Sequence, residues 1–354
     1  MRLLVTGGAG FIGSNFARHI TAKYPEYSVI ILDKLTYAGN PENVADLHVY
    51  ENFYFVHGDI ADKKFLADFF ETMKPDIVVN FAAETHVDRS IIDPSIFVLT
   101  NIVGTQNLLE LSRAYKVKRY HQISTDEVYG DLGDGSTNYF IEETPLAPNC
   151  PYAASKAAAD LLVESFYKTY GFPATISRCS NNYGPFQFPE KLIPYFFLLA
   201  QENKPLPVYG DGKNIRDWLY VLDHCEAIDL ILHKGKIGEI YNIGGHNEKD
   251  NLTIAKTILS FLGRNEDLIT FVEDRLAHDR RYAMDPSKIE RELGWKPSVT
   301  FEEGIQKTFA WYEGNSVWLE NLVKKHAITE HRQHLTVKSP ASPVAAPKRA
   351  RVAS

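Results

Sequence analysis

The sequence predicts an α/β fold, in which a doubly wound parallel sheet is followed by a smaller mixed α/β domain. The first 180 residues alternate short apolar runs with longer helical stretches, a pattern typical of right-handed β–α–β units. The apolar runs are rich in β-branched and aromatic residues and lack polar alternation, as expected of parallel strands buried on both faces. A glycine-rich turn joins the first run to the first helix, as in dinucleotide-binding sheets.

The elements of this first domain, residues 1–180, follow one another in strand–helix order. The predicted strands are Arg2–Thr6, Ser28–Leu32, Phe53–His57, Asp76–Phe81, Arg119–Ile123 and Ala174–Ser177. The clearest helical patterns between them are Gly13–Lys23, Lys63–Thr72 and Pro94–Tyr115. The sequence shows no internal repeat, which argues against a solenoid or a propeller.

Residues 181–326 lose this regular alternation, and we expect them to form mainly the smaller, substrate-binding domain. We interpret 181–191 as a loop, and predict short strands at Leu206–Tyr209 and Glu239–Ile243 and a strand-to-helix unit at Trp218–Gly235. The predicted helices are Leu192–Asn203, Leu252–Leu262, Pro286–Leu293 and Phe301–Asn315. We expect segments of 214–245 to return to the large sheet, which would make the domain boundary discontinuous.

Composition and charge exclude several classes of protein. With 44% hydrophobic and 23% charged residues the chain has ordinary globular composition, and no apolar run approaches the roughly 18 residues that span a bilayer. The formal net charge of -7 disfavours nucleic acid as a partner, and the first glycines come too early for a signal peptide. The three cysteines form neither a disulfide framework nor a zinc motif, and the histidines show no metal-ligand spacing. We therefore expect a soluble cytoplasmic protein that binds no membrane and no metal.

The C-terminal segment 327–354 differs in composition from the rest of the chain. Its last part, 337–354, is rich in proline, alanine and serine and holds four basic residues and no acidic ones, so we predict that it is disordered. The basic stretch 347–352 has the composition of a nuclear-import signal, although a solvated tail is the favoured interpretation.

Three glycines with two residues between successive members, Gly7, Gly10 and Gly13, follow the first strand. They permit a tight turn, close approach of the backbone to a pyrophosphate, and close packing of helix on strand, while the helix N-terminus attracts phosphate. Asp33 lies twenty residues after Gly13 at the end of the second strand, where a carboxylate accepts hydrogen bonds from ribose hydroxyls and repels a 2′-phosphate. The pattern predicts a Rossmann-type site for NAD rather than NADP. The alternative is a tight turn with a strand-end Asp that binds no ligand.

A tyrosine and a lysine in the segment Pro151–Lys156 form a candidate catalytic pair. Tyr152 and Lys156 stand at positions i and i+4 of a predicted helix, and an ammonium beside a phenol lowers the tyrosine pKa so that it can act as a base. This spacing is common on its own. Together with the glycine turn and with Ser124 and Thr125 at the end of the fifth strand, it resembles the extended short-chain dehydrogenase/reductase family. In that family such residues move a sugar hydroxyl proton while NAD takes the hydride.

Two adjacent carboxyl groups, Asp126 and Glu127, directly follow Thr125. An elimination requires one acid and one base at this place, whereas an epimerisation needs only the hydroxyl and the tyrosine. Alone, the pair would be interpreted as capping a turn. In this setting, Thr-Asp-Glu resembles the signature of the nucleotide-sugar 4,6-dehydratases, specifically those that act on dTDP-glucose.

This resemblance covers roughly residues 1–315 and depends on several separated segments. They are Phe81–Ser90, Arg178–Pro185, Glu190–Pro194, Tyr209–Gly212, Asn214–Trp218, Tyr241–Gly245 and Asp274–Tyr282. The chain departs from the family at Leu276 and Ala277, where Pro-Gly or Lys-Gly is more frequent, and this change could stiffen or reshape a loop on the phosphate side.

The resemblance implies a set of catalytic and binding residues. Tyr152, assisted by Lys156 and Thr125, would take the C4 hydroxyl proton, Glu127 would remove the C5 proton, and Asp126 would be kept protonated to release the C6 hydroxyl. The implied cofactor contacts are Gly7, Gly10, Phe11, Ile12, Gly13, Asp33, Lys34, Asp59, Ile60, Ala82, Ala83, Thr100, Ser124, Tyr152 and Lys156. The implied substrate contacts are Thr85, His86, Asn181, Asn182, Lys191, Leu192, Arg216, Asn251, Arg275 and His278.

Some of these residues also have simpler interpretations. Asp59 could cap the following helix. His86 could be a satisfied polar loop residue, and Arg216 could form a structural ion pair with Asp217 or Asp223 instead of binding a diphosphate.

The resemblance implies NAD-dependent conversion of dTDP-glucose to dTDP-4-keto-6-deoxyglucose and water. A UDP-glucose 4,6-dehydratase or a UDP-sugar 4-epimerase is the alternative within the class. A non-catalytic NAD-binding regulator is disfavoured because Tyr152 and Lys156 are both present.

We also expect a homodimer, because the helices Gly104–Tyr115 and Ala153–Tyr170 carry more apolar residues than one buried stripe needs. These apolar residues are Leu108, Leu109, Leu111, Leu161, Leu162, Phe166 and Tyr170. Members of the family pair these helices into a four-helix bundle.

Overall fold

The structure is a computed structural model and describes residues 1–326. The predicted disorder of 337–354 and the basic stretch 347–352 lie outside the described residues. Within 1–326, no helix is long and apolar enough to cross a membrane.

A seven-stranded, all-parallel sheet forms the centre of the fold, with strand order β10-β6-β5-β4-β1-β2-β3. Its strands are β1 (Arg2–Thr6), β2 (Ser28–Asp33), β3 (Phe53–His57), β4 (Ile77–Asn80), β5 (Arg119–Thr125), β6 (Ala174–Cys179) and β10 (Ile240–Ile243). The order reverses between β1 and β4, and this reversal opens a crevice at the carboxyl ends of the strands. The predicted doubly wound sheet is confirmed.

Helices cover both faces of this sheet, as the unbroken apolar strands require. The helices are α1 (Phe11–Lys23), α2 (Lys63–Met73), α3 (Val87–Ile92), α4 (Ser95–Phe97), α5 (Thr105–Ala114), α6 (Pro151–Tyr170), α7 (Leu192–Gln201), α8 (Val221–Lys234), α9 (Asn251–Phe261), α10 (Ser287–Leu293), α11 (Phe301–Gly314) and α12 (Ser316–His326). Alternate residues of β1 point to opposite faces: Leu3 and Val5 pack with α1 and α8, and Leu4 packs with α2, α5 and α6.

The remaining strands form two small sheets in the second half of the chain, where α7, α9, α11 and α12 enclose a separate hydrophobic core. These strands are β7 (Asn181–Tyr183), β8 (Leu206–Tyr209), β9 (Ile215–Tyr220), β11 (Glu248–Asp250) and β12 (Ile269–Val272). One sheet has the order β11-β9-β7 and the other pairs β12 with β8. These elements stand over the crevice and supply its second wall.

Two predicted elements are wrong in detail. The segment 181–191 is not all loop, because β7 pairs in parallel with β9, with Asn181 opposite Trp218. The stretch Pro94–Tyr115 is not one regular helix, because Val98–Gly104 between α4 and α5 is a wider π-helical turn. In this turn the Asn101 side chain points inwards, where it pairs with the backbone of Glu84 and donates to Ser155 Oγ. The spacing of apolar residues in the sequence predicts neither β7 nor the π-helical turn.

Candidate active site

Two adjoining cavities lie in the crevice at the carboxyl ends of the strands, with volumes of about 330 Å³ and 160 Å³. Every cofactor contact implied by the sequence lines the larger cavity, as do Thr85 and Asn182. The smaller cavity is lined by His86, Arg216, Asn251, Arg275 and His278. Six residues line both cavities: Glu127, Asn181, Glu190, Lys191, Leu192 and Trp218. The structure thus brings all the predicted site residues into one bipartite crevice.

The glycine turn fits a dinucleotide because it leaves no room for side chains. Gly7 has φ of +67°, and a Cβ built there would lie 2.7 Å from the backbone nitrogen of Ala82. A Cβ at Gly13 would overlap the Gly7 carbonyl oxygen, so α1 can pack closely on the sheet only without one. Gly10 precedes α1, and no side chain caps this helix start, which faces the larger cavity. The turn and the helix dipole therefore suit a pyrophosphate.

Asp33 supports the other end of this cavity. Its Oδ2 accepts a hydrogen bond from the Ala9 backbone N–H at 2.9 Å, and its Oδ1 accepts from the Leu35 N–H at 2.8 Å. Burial raises the pKa of this carboxyl, and the two N–H donors oppose that rise. Each carboxylate oxygen keeps a further lone pair, so the group can hold the loops on both sides of it and still accept from a ribose.

Asp59 does not cap the neighbouring helix. The cap of α2 is Asp62, whose Oδ1 accepts from the Phe65 N–H. Asp59 instead forms an ion pair with Lys34 at 2.7 Å and accepts from the Ala61 N–H, and both partners of this ion pair line the larger cavity.

The strand end at Thr125 organises the two candidate elimination groups. The Thr125 hydroxyl accepts from the Glu127 N–H at 3.3 Å and donates to Asp126 Oδ1 at 3.1 Å, at the start of a 3₁₀ turn over Asp126–Tyr129. The cap of this turn is therefore Thr125. The alternative in which Asp126 and Glu127 serve as the cap is not what the structure shows.

The two carboxyl groups differ in environment. Burial first, and then the neighbouring charge of Glu127, raise the pKa of Asp126 to about 8. Burial also raises the pKa of Glu127, but Arg275, Lys191 and Arg216 oppose this rise. Asp126 is thus suited to be the acid at neutral pH, in the direction that the sequence predicts, and Glu127 is suited to be the base.

Tyr152 and Lys156 lie at the start of α6, with Pro151 at its first position and the Cys150 thiol accepting from the Ala153 N–H. In the protein alone, the surroundings of Tyr152 outweigh the lowering of its pKa that the sequence predicts from Lys156. Burial, and then the charge of Glu127, raise the pKa of Tyr152 well above its usual value, while a hydrogen bond with Thr125 lowers it. Lys156 Nζ donates to the Ile123 carbonyl at 2.6 Å. A positive charge in addition to that of Lys156 is needed to favour the phenolate form of Tyr152.

The smaller cavity is rich in cationic side chains. Arg216 pairs with neither of the carboxylates considered from sequence, because Asp217 accepts from the Gly245 and Asn247 backbones and Asp223 accepts from Ser298 and the Val299 backbone. Its guanidinium donates instead to the carbonyls of Ile215 and Asp279 and lies 4.3 Å above the Tyr282 ring. A buried cation that donates to carbonyl oxygens, and to no carboxylate within residues 1–326, is suited to an anionic ligand.

The other predicted substrate residues differ in how far their polar groups are already engaged. Asn182 donates to the Ser180 carbonyl at 3.0 Å, and its Oδ1 lies 2.9 Å from His224 Nδ1. Asn181 Oδ1 is buried with no hydrogen-bond partner among residues 1–326, at the wall shared by the two cavities. His86 lies 3.5 Å from Glu190, so its ring also has a carboxylate neighbour.

Sequence reasoning missed Glu190 and Trp218 as residues that line both cavities. Glu190 is buried and within 4 Å of both His86 and Arg89, and it directly precedes the predicted Lys191. The sequence feature that could have identified Glu190 is its position directly before Lys191, a predicted substrate ligand. Trp218 has no signal of this kind, since a tryptophan in a buried strand predicts core packing.

Comparisons with known proteins agree with this geometry. A sequence model of the family described as GDP-mannose 4,6 dehydratase matches residues 4–308. The dTDP-glucose 4,6-dehydratase of Neisseria meningitidis serogroup B is 51% identical over 342 residues, covering 91% of this chain and 96% of that protein. The crystal structure of dTDP-glucose 4,6-dehydratase from Bacillus anthracis in complex with NAD is 50% identical, with a TM-score of 0.85 over 91% of this chain and 99% of that one.

A more distant structure shares the same architecture. The UDP-glucose 4-epimerase of Thermus thermophilus, in complex with NAD, is 31% identical, with a TM-score of 0.82 over 89% of this chain and all of that chain (100%). The chain therefore belongs to the family that the sequence model describes, and its identity of about half with curated relatives places it with the dTDP-glucose 4,6-dehydratases.

Proposed function

We propose that this protein is an NAD-dependent hydro-lyase that converts dTDP-glucose to dTDP-4-keto-6-deoxyglucose and water. One observation carries the proposal. A buried acid, Asp126, and an adjacent base, Glu127, stand beside the Tyr152 and Lys156 pair, at the junction of a dinucleotide cavity and a cation-rich cavity. The relatives at about half identity are named for this reaction.

The first chemical task is the removal of the C4 hydroxyl proton. Tyr152 accepts this proton as the base, and Thr125, which shares a hydrogen bond with Tyr152, would bind the same substrate oxygen. The ammonium of Lys156, fixed by the Ile123 carbonyl, stabilises the phenolate. When bound, NAD supplies the acceptor that takes the hydride from C4 and returns it at C6, together with the positive charge of the oxidised nicotinamide.

The second task is the loss of water across C5 and C6. A ketone at C4 acidifies the C5–H bond, and Glu127 removes that proton. Asp126 gives its proton to the C6 hydroxyl, which leaves as water when the C5–C6 double bond forms. Once C6 has been reduced, a proton returns to C5, and the raised pKa of Asp126 favours its recovery of a proton for the next cycle.

In this proposal, the cationic side chains of the smaller cavity bind the diphosphate of the substrate. Arg216, Arg275 and Lys191 line the smaller cavity, interact electrostatically with Glu127 and would neutralise a substrate diphosphate. Binding energy from this remote part of the substrate can hold the hexose against the acid and the base.

Product analysis tests the proposed function. The purified protein is incubated separately with dTDP-glucose and UDP-glucose, and the products are read by mass spectrometry for loss of water and by NMR for the configuration at C4. We expect loss of one water from dTDP-glucose and a much slower reaction with UDP-glucose. Epimerised UDP-sugar without loss of water would support the epimerase instead, and unchanged substrates would contradict catalysis.

We further propose that the chain forms a homodimer through α5, α6 and the π-helical turn between α4 and α5. Leu161 and Tyr170 on α6 are 56% and 53% exposed in the single chain. Other exposed apolar residues on the adjoining elements are Ile92, Val98, Leu99, Val103, Tyr115 and Tyr167. Leu108 and Leu109, which the sequence analysis included in this surface, instead pack in the sheet core. Adjacent exposed apolar side chains on two packed helices fit a self-complementary contact.

The assignment of the two domains to different ligands is part of the same proposal. We assign residues 1–180 to NAD binding and 181–326 mainly to nucleotide-sugar binding, with β10 contributed back to the large sheet. The buried free thiols of Cys150, Cys179 and Cys225 suit the reducing cytoplasm, where we place the enzyme.

A further inference from the structure

A buried ion pair lies behind the catalytic residues, on the side of the strand ends away from the crevice. Asp160 is on α6 and Arg178 is on β6, and their side chains are 0% and 2% exposed. Arg178 Nε donates to Asp160 Oδ2 at 2.9 Å. Neither residue lines the two cavities described above.

This pair is joined directly to the catalytic groups. Asp160 Oδ2 also accepts from the Ser124 hydroxyl at 3.0 Å, at the strand end that carries Thr125. Asp160 stands one helical turn after Lys156 on the same face of α6, and the two side chains interact electrostatically. One carboxylate therefore faces two buried cations, Arg178 and Lys156.

The guanidinium of Arg178, like the carboxylate of Asp160, is held by several neighbouring groups. Arg178 Nη1 donates to the Tyr129 hydroxyl at 3.0 Å, and that hydroxyl donates to Asn242 Oδ1 at 2.8 Å. The guanidinium also lies 4.9 Å above the Tyr129 ring and 3.9 Å from Glu164. Tyr129 ends the turn that begins at Asp126, so the pair connects the oxidation residues with the elimination turn.

A contribution to folding stability does not by itself explain why the Asp160–Arg178 ion pair is buried. Taking two charges out of water costs several kcal/mol per ion before their attraction is counted, and apolar replacements of buried pairs are often neutral or stabilising. The charge of Lys156, by contrast, needs such a partner. Burial lowers the pKa of Lys156, and the carboxylate of Asp160 is the first of the groups that raise it.

We propose that Asp160 and Arg178 are positioning residues whose paired charges hold Lys156 in its cationic form and, through it, set the acidity of Tyr152 for removal of the C4 proton. This inference rests on the proposed function. Lys156 faces Asp160 and Cys179, and Tyr152 faces Glu127, Cys179, Cys150 and Thr125, so these are the groups that share the titration.

The sign of the effect follows from the charge that remains when one partner is changed. In Asp160→Asn, Arg178 is uncompensated, and its positive potential favours the deprotonated forms of both Lys156 and Tyr152. Both limbs of the pH profile of kcat/KM should then move to lower pH by about one unit. In Arg178→Met, the uncompensated carboxylate should move both limbs to higher pH. The double variant, which has neither charge, should have limbs between those of Asp160→Asn and the wild type, because Asp160 acts on Lys156 more strongly than Arg178 does.

The experiment measures kcat/KM for dTDP-glucose against pH in the wild type, the three variants and the charge-conserving control Arg178→Lys. Opposite shifts in the single variants, limbs of the double variant that lie between those of Asp160→Asn and the wild type, and near-wild-type limbs in Arg178→Lys support the proposal. Limbs that stay in place while only the maximum rate falls would show a merely structural pair and overturn it. If Asp160→Asn does not fold, Arg178→Met decides by the upward shift alone.

This test separates two kinds of failure. The wild-type protein is assayed first for loss of water from dTDP-glucose. An inactive wild type contradicts the proposed function, whereas an active wild type whose pH limbs are insensitive to these charges contradicts only the role given to Asp160 and Arg178.

Discussion

The hydroxyl of Thr125 donates to the carboxyl of Asp126 and accepts from the backbone of Glu127, so one side chain fixes the positions of both candidate elimination groups. The two carboxyl groups belong to adjacent residues but have different surroundings. Asp126 is buried against Thr125, whereas Glu127 faces three cationic side chains. This asymmetry has direct kinetic consequences.

Asp126→Asn and Glu127→Gln should stop the elimination without stopping the oxidation. An amide has nearly the shape of a carboxyl but can neither remove the C5 proton nor protonate the leaving hydroxyl, so product formation should fall by about 10²-fold or more. Reduced nicotinamide should accumulate on the enzyme and be visible by its absorbance. Tyr152→Phe, as the matched control, should show no reduced nicotinamide. Near-normal turnover in both carboxyl variants would contradict their roles.

Asp33→Ala should weaken the retention of NAD. The substitution removes the acceptor of the Ala9 and Leu35 N–H groups as well as the acceptor for a ribose. The wild type should release about one NAD per chain on denaturation, and the variant much less. Asp62→Ala is the control, since it removes the α2 cap at a cost of about 1 kcal/mol in stability but should leave NAD content unchanged. A fully loaded Asp33→Ala protein would refute the assignment.

Leu161→Glu should dissociate the proposed dimer, because it places a charge at the centre of the exposed apolar surface of α6. Light scattering at micromolar concentration should give the mass of two chains for the wild type and of one chain for the variant. Leu222→Glu serves as the control, because Leu222 is 42% exposed on α8, at the opposite face of the sheet. A wild type that is already monomeric would rule out the interface.

Ala277→Gly should stabilise the phosphate-side loop. Ala277 has φ of +50°, a left-handed conformation that costs a residue with a Cβ roughly 1–2 kcal/mol. Glycine removes that cost but loses about 0.4–1 kcal/mol through the greater freedom of the unfolded chain. We expect a net gain of up to about 1 kcal/mol in urea unfolding. A marked loss of stability would show that the Cβ contributes packing there.

His233→Gln should destabilise the protein more at low pH than at high pH. His233 Nδ1 lies 2.7 Å from Asp229 Oδ1, and the hydrogen bond with Asp229 raises the pKa of His233. A raised folded-state pKa gives stability that is fully present below the unfolded value near 6.5 and is lost as pH rises through the folded value. The difference in Tm from wild type should therefore be larger near about pH 5.5 than near about pH 9. An equal difference in Tm at the two pH values would contradict this role of the His233–Asp229 pair.

The sequence predicted the sheet and the set of residues that line the crevice better than their local geometry. Buried parallel strands and the glycine turn leave strong signals, because their apolar runs and spacing follow directly from packing. The π-helical turn at Val98–Gly104 leaves none, since it results from where the Asn101 side chain finds its partners. The raised Tyr152 pKa also escaped prediction, because spacing along a helix does not reveal how deeply a phenol is buried or that Lys156 bonds to Ile123.

Tyr152 and Lys156, the proposed oxidation residues, lie on α6, whereas the proposed elimination residues lie on the Asp126–Tyr129 turn, and this separation has an evolutionary consequence. Two of the bonds that hold the turn, from the Glu127 N–H to the Thr125 hydroxyl and from the Gly130 N–H to the Glu127 carbonyl, do not use the two acidic side chains. Substitutions at Asp126 and Glu127 could therefore exchange one sugar chemistry for another without redesigning the scaffold. A shared architecture with an epimerase at 31% identity is the pattern that such inheritance would leave.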